Sequence, residues 1–199
     1  MARLLLATNN KGKRKEIQAL LEGVGLDLVT PADLGIELEV DETGSTYAEN
    51  AALKAAAFAQ AAHLPTLADD TGLEVDALDG RPGLHSARFA PQPGATDADR
   101  RAVLLAALSD KPRPWTARFR CVIALKLPFE TDGMQFTEGI CEGEILPEER
   151  GQRGFGYDPL FYIPEAGKTM AELSLDEKNR VSHRARAVKA AIPILKSLK

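Results

Sequence analysis

The chain has 199 residues, 44% of them hydrophobic and 27% charged, which is the profile of a folded globular protein and excludes a disordered or collagenous one. At this length folding buries roughly 70% of the surface that the unfolded chain exposes, so a core needs neither disulfides nor a structural metal. Lys plus Arg number 25 against 29 Asp plus Glu, and the resulting charge of -4 argues against a protein held on nucleic acid by its overall field.

Residues 4–7 form an apolar run suited to a buried strand. A polar turn and the helical spacing of Ile17, Leu20, Leu21 and Val24 follow it. Residues 26–30 read as a second short strand before Pro31. Thr46-Tyr47-Ala48-Glu49 has capping-box spacing and opens an alanine-rich helix reaching about residue 63. Thr66-Leu67-Ala68 predicts a strand that ends in a turn at Asp69-Asp70-Thr71-Gly72, with strand pattern resuming over 73–78. Residues 79–96, rich in Gly and Pro, read as a long loop, and 97–108 as a helix with Val103, Leu104, Ala107 and Leu108 on its apolar stripe. Runs at 115–127 and 134–146 around Thr131-Asp132-Gly133 predict a hairpin with antiparallel pairing. A Gly-rich loop over 150–159 precedes a short strand at 160–163. A closing helix is expected from about Ser174-Leu175-Asp176-Glu177, and Pro193 should bend or end it.

This order predicts an α/β fold with a mixed sheet, as one domain or two closely joined lobes, with no linker and no internal repeat. Cys121 and Cys141 lie in strand-like segments without a CxxC pair, as small buried hydrophobes do. The opening Met1-Ala2-Arg3-Leu4-Leu5-Leu6-Ala7 is cut short by Thr8-Asn9-Asn10-Lys11, too soon for a signal peptide. The alanine-rich stretch falls short of the roughly 20 residues that a bilayer demands. A cytoplasmic protein with no membrane and no nucleic-acid partner is the expectation.

Lys11, Lys13, Arg14 and Lys15 crowd a helix start, where free N–H groups and the macrodipole already favour negative charge. Thr8, Asn9 and Asn10 can donate hydrogen bonds and Gly12 admits close backbone approach. The segment is therefore either a phosphate cradle or a solvated cationic face capped by Asn. Glu37, Glu39, Asp41 and Glu42 form one carboxylate group and Asp69-Asp70 another. Adjacent aspartates at a strand end point in opposite directions and need a cation or hydrogen bonds for relief. Mg²⁺ held by Asp70 with Asp41 or Glu42 would supply it, and an Asp-capped turn completed by Thr71-Gly72 is the alternative.

Gly154-Phe155-Gly156-Tyr157-Asp158-Pro159, flanked by Arg150 and Arg153, can present aromatic rings to a planar ligand, with Asp158 or backbone amides reading a base edge; it can equally be an ordinary loop. Residues 168–199 carry eight Lys or Arg against three Asp or Glu, and a solvated helix face is the usual explanation of such a run around Lys178 and Ser182-His183-Arg184. His63 and His85 lack metal-ligand spacing, and no GxSxG elbow marks a serine hydrolase.

Six motifs in order carry a family resemblance over essentially the whole chain. They are Leu6-Ala7-Thr8-Asn9-Asn10-Lys11-Gly12-Lys13; Asp41-Glu42-Thr43-Gly44 with Glu49-Asn50-Ala51; Ala68-Asp69-Asp70-Thr71-Gly72-Leu73; Pro82-Gly83 with Ser86-Ala87-Arg88; the Gly154 to Pro159 hexapeptide; and Glu177-Lys178 with Ser182-His183-Arg184. In these the chain resembles the inosine triphosphate pyrophosphatases. The resemblance implies an elongated mixed α/β fold of two lobes with a central cleft, a homodimer, and Mg²⁺-dependent hydrolysis of dITP, ITP and XTP to monophosphate and pyrophosphate. By motif, Thr8, Asn9, Asn10, Lys11, Gly12 and Lys13 would hold the triphosphate. Asp70 would be general base and metal ligand, with Asp41 or Glu42 completing the metal site. Thr71, Phe155, Gly156, Tyr157, Asp158, Lys178, His183 and Arg184 would line the nucleotide pocket, the aromatic loop stacking and the basic residues reading the six-position oxygen. Asn9 and Thr71 stand where many members have Gly and Ser.

Overall fold

The computed structural model describes residues 2–127 and 133–198. In chain order these form β1 (Arg3–Leu6), α1 (Lys11–Leu20), β2 (Asp27–Val29), α2 (Tyr47–Ala62), β3 (Thr66–Val75), β4 (Pro82–Gly83), α3 (Asp97–Leu108), β5 (Trp115–Lys126), β6 (Met134–Ile145), β7 (Phe161–Ile163), β8 (Lys168–Thr169), α4 (Leu175–Val181) and α5 (His183–Lys196). The strands make one mixed sheet in the order β2-β1-β3-β5-β6-β7-β8, with β4 on β3. Pairing is parallel for β1 with β2 and β3, and antiparallel for β3 with β4, β6 with β7 and β7 with β8.

The chain divides into two compact units. The first comprises Met1–Asp70, Cys121–Gly139 and His183–Lys199; the second comprises Thr71–Arg120 and Ile140–Ser182. In the first unit β1 lies between β2 and β3, with Leu4, Leu5 and Leu6 fully buried. Alternation splits its side chains. Leu4 and Leu6 pack with Ile17 and Leu21 of the α1 segment and with Val188, Ala191 and Leu195 of α5, while Leu5 and Ala7 pack with Ala51, Ala55 and Phe58 of α2. Each such leucine contributes about 1.5–3 kcal/mol of burial. The alanines of α2 bring its backbone close to β1, which accounts for the low-volume face.

In the second unit Leu104 and Leu108 of α3 pack with Leu73, Val75, Trp115, Phe119, Phe161 and Met170. The Phe119 and Phe161 rings lie 4.6 Å apart, tilted by 48°.

Three sequence expectations are corrected. Asp69-Asp70-Thr71-Gly72 is not a turn, because β3 runs unbroken from Thr66 to Val75. The acidic pair is tolerated inside a strand because each carboxylate meets cations. The closing helix is two helices: α4 ends at Ser182, whose backbone is extended, and α5 begins at His183. Of the two outcomes expected at Pro193, bending or ending the helix, ending is the one corrected, since α5 continues to Lys196. The short β8 and the β4 bridge escaped the sequence reading, since two residues carry no periodicity. β5 and β6 are sheet neighbours as expected, and Thr131 and Asp132 of the expected turn lie outside the described residues.

Candidate active site

The site in the first unit grows from the alternation of β3. Leu67 belongs to the core cluster that contains α1 and α5, and Ala68 to the one that contains α2. The next two side chains continue the pattern, so Asp69 meets α1 and α5 while Asp70 meets α2.

Asp69 is buried and its Oδ2 receives Lys13 Nζ at 3.0 Å and Arg184 Nε and Nη2 at 3.4 Å each. Arg184 in turn donates from Nη1 to Glu16 Oε2 at 2.5 Å, and both side chains are buried. Burial alone would raise the Asp69 carboxyl, but the charges of Lys13, Arg184 and Lys54 outweigh it and hold the group below the ordinary carboxylate range. Breaking such a buried pair typically costs about 3–5 kcal/mol, which fixes Lys13 at the start of α1.

On the other side, Asp70 Oδ1 and Glu42 Oε1 share the ammonium of Lys54, at 3.2 and 2.6 Å. Asn50 Nδ2 donates to Asp70 Oδ2 at 3.4 Å, one helical turn before Lys54. Burial raises the proton affinity of Asp70 above that of an ordinary aspartate despite the opposing charges of Lys54 and Lys13, and Glu42 adds to the rise. Lys54 loses charge stability by burial, and Asp70, Asp69 and Glu42 more than restore it. The open choice between Asp41 and Glu42 is thereby narrowed: Glu42 converges with Asp70, whereas Asp41 is exposed. Asn50 Oδ1 also accepts from the Gly44 amide at 2.8 Å and so ties the acidic loop to α2. A Cβ on Gly44 would lie 2.7 Å from that oxygen, so the close approach requires glycine.

At the start of α1, Asn10 caps the helix, its side chain accepting from the Lys13 amide at 3.0 Å. Thr8 Oγ1 accepts from the Asn10 amide at 3.2 Å. The amides of Lys11 and Gly12 open the helix without an intrahelical partner. Asn9 and Lys11 are exposed. Asn10 capping therefore accounts for one open helix amide, and the Lys13 ammonium is drawn to Asp69.

The second unit holds another set of expected residues. Asp158 is buried; its Oδ2 accepts from Lys178 Nζ at 2.5 Å and from the Phe155 amide at 2.9 Å. The Lys178 ammonium also lies 5.2 Å from the centroid of the Phe155 ring. Gly154 and Gly156 both have positive φ, 77° and 62°, which lets the loop fold back on Asp158. Gly156 itself is held from α3: its amide donates to Asp97 Oδ2 at 2.7 Å and its carbonyl accepts from Arg101 Nη1 at 2.9 Å.

Tyr157 corrects the expectation of two presented rings. It is a core residue whose hydroxyl donates to the Ser86 carbonyl at 2.8 Å, and burial raises its pKa. Phe155 alone keeps a half-buried ring in this loop. Ser86, from the Pro82-Gly83 and Ser86-Ala87-Arg88 motifs, accepts from the Leu73 amide and donates to the Gly83 carbonyl, so this motif braces the end of β3. Thr71 is half-buried in the second unit; His183 is buried in the first, beside Arg184.

Sequence reasoning missed Lys54, Asn50, Glu16, Asp97 and Arg101 as site residues. Lys54 and Asn50 left one trace, polar groups four apart on an alanine helix. Glu16 stands as an acid directly before the buried Ile17. Asp97 and Arg101 left none, because their contact is 59 and 55 residues away in the chain.

The Ham1 family model matches residues 4–194. A protein of Desulforamulus reducens named dITP/XTP pyrophosphatase is 50% identical over 98% of this chain and 96% of its own. One of Bacillus subtilis with the same name is 44% identical over 99% and 98%. Among solved structures, a HAM1 protein from Coxiella burnetii superposes with a TM-score of 0.89 at 40% identity, over 99% of this chain and all of that one. The Staphylococcus aureus Ham1 protein gives 0.86 at 37%, over 99% of this chain and 100% of its own. Matched from its first strand into its last helix by sequence and by fold, the chain belongs to the Ham1 family.

Proposed function

We propose that this chain is a Mg²⁺-dependent nucleoside triphosphate pyrophosphatase that hydrolyses dITP, ITP and XTP to the monophosphate and pyrophosphate, and so removes deaminated purines from the nucleotide pool. The observation that carries this reading is that neighbouring residues of β3 hold Lys13 on Asp69 and Lys54 with Glu42 on Asp70, all within one unit. The names of the D. reducens and B. subtilis relatives support the substrate class.

Among the described residues no three His, Cys, Asp or Glu side chains form a ready metal cage. Two carboxylates already sharing one cation suit Mg²⁺ nonetheless, because it keeps several waters and takes substrate phosphate oxygens as ligands. Glu42 and Asp70 would hold it, and when bound it neutralises the charge that develops on the phosphate oxygens.

The remaining work belongs to the chain. The Lys11 and Gly12 amides and the Lys13 ammonium receive triphosphate oxygens at the positive end of α1. Asp70, whose raised proton affinity suits a base, takes a proton from the water that opens the α–β anhydride, and pyrophosphate leaves. Lys54 holds Asp70 and Glu42 in one place. Within the second unit, Phe155, Asp158 and Lys178 offer a ring, a carboxylate and an ammonium that suit a purine base. A site that hydrogen-bonds a purine carbonyl leaves its donors unpaired against adenine. A homodimer and a cytoplasmic location complete the reading.

Product identification tests it. The purified chain with dITP, XTP, dUTP and dGTP, with and without Mg²⁺, should yield pyrophosphate and monophosphate from dITP and XTP only when Mg²⁺ is present. Orthophosphate as the sole phosphorus product, or preference for dUTP, would overturn the assignment. Sedimentation equilibrium reads the expected dimer.

A further inference from the structure

A cavity of about 300 Å³ borders the loop over 154–158, lined by Asp97, Arg101, Glu149, Arg153, Gly154 and Phe155 among others. Polar contacts from α3 reach the loop beside it. Both backbone groups of Gly156 are engaged by α3, the amide by Asp97 and the carbonyl by Arg101. These partners are themselves fixed: Asp97 by an ion pair to Arg100, and Arg101 by Glu149 at 2.8 Å. The first turn of α3 is locked by the Thr96–Asp99 capping box. Asp97 stays ionised against its burial because Arg100 and the Gly156 amide bond to it.

We propose that Asp97 and Arg101 are positioning residues for base discrimination: by clamping the Gly156 peptide they fix where Phe155 and the Asp158 carboxylate stand. The inference rests on the reading that this loop receives the purine. It gives α3, which no motif of the site includes, a share in specificity. A peptide held at both its donor and its acceptor stays put before substrate arrives, so base contacts form without an ordering cost.

The test compares wild type with Asp97→Ala, Arg101→Ala and Asp97→Asn. Two readouts are used: kinetics with dITP and dGTP, and amide hydrogen exchange at Gly156 in the free protein. Losing a charge-assisted hydrogen bond should raise KM for dITP about tenfold or more while kcat changes about twofold or less. The ratio of kcat/KM for dITP over dGTP should fall by a similar factor, and Gly156 exchange should accelerate. Asp97→Asn keeps an acceptor for the amide and should recover most of the discrimination. Faster exchange with unchanged KM and ratio would overturn the proposal, as would a fall in kcat alone. Arg101→Ala leaves the capping box intact and carries the test if Asp97→Ala does not fold; failure of both to fold would assign these residues a structural role and sink the inference. Wild type without activity on dITP refutes the proposed function instead, and the exchange measurement still reports on the clamp.

Discussion

Asp69 and Asp70 are chemically identical neighbours with opposite environments. One meets Lys13 and Arg184 and is held ionised; the other meets one ammonium shared with Glu42 and holds its proton more tightly. Strand alternation separates their surroundings, and in the proposed function Asp70 is the base. Asp70→Asn should therefore keep the fold, with unchanged circular dichroism, while kcat falls about 10²–10⁴-fold. Asp69→Asn should act differently, lowering the urea midpoint as well, because Arg184 loses a buried counter-charge. Equal stability of the two variants would contradict this division. Glu177 offers a residue-scale test of pH dependence. Its carboxylate accepts from Lys168 and from the Ser174 amide, and these bonds lower its pKa to about 2 from an ordinary value of 4.5. A depressed carboxylate stabilises the fold fully above its unfolded pKa, and that contribution fades as pH falls from there through the folded value. The melting-temperature gap between wild type and Glu177→Gln should thus be constant above about pH 5 and close toward pH 2.

At the scale of elements, the break between α4 and α5 matters most. Ser182 is extended and separates α4, which carries the buried Lys178, from α5, which begins with His183 and Arg184. β6 approaches the start of α5 so closely that a Cβ on Gly139 would lie 2.1 Å from the His183 carbonyl oxygen and 2.5 Å from the Ala187 amide. Thr137 Oγ1 donates to the Ala187 carbonyl at 2.9 Å in the same contact. Gly139→Ala should therefore displace α5, at a cost of about 1–3 kcal/mol by urea denaturation. Because Arg184 rides on that turn, activity should fall with stability. A variant with wild-type midpoint and activity would show that the approach is not needed.

For the whole molecule, the two units are both discontinuous in sequence, the first built from three segments and the second from two. The segment His183–Lys199 supplies Val188, Ala191 and Leu195 to the first unit's core and Arg184 to its buried ion network. Truncation after Ser182 should abolish the cooperative thermal transition, since the face of β1 carrying Leu4 and Leu6 loses its cover; a truncated chain that melts cooperatively would contradict this. Much of this architecture was legible in the sequence. The run at Leu4-Leu5-Leu6 and the capping-box spacings that begin at Thr46 and Ser174 announce elements through local pattern alone. β3 was misread as ending at Asp69 because adjacent acids look like a turn until the cations that neutralise them are known. The contacts of Glu16, Lys54, Asp97 and Arg101 were not legible for the same reason: their partners lie 168, 16, 59 and 55 residues away. Local propensity, spacing and motif order determined most of the elements and the family. Only the tertiary structure decided which charges meet, because pairing in a folded chain is set by which faces pack together.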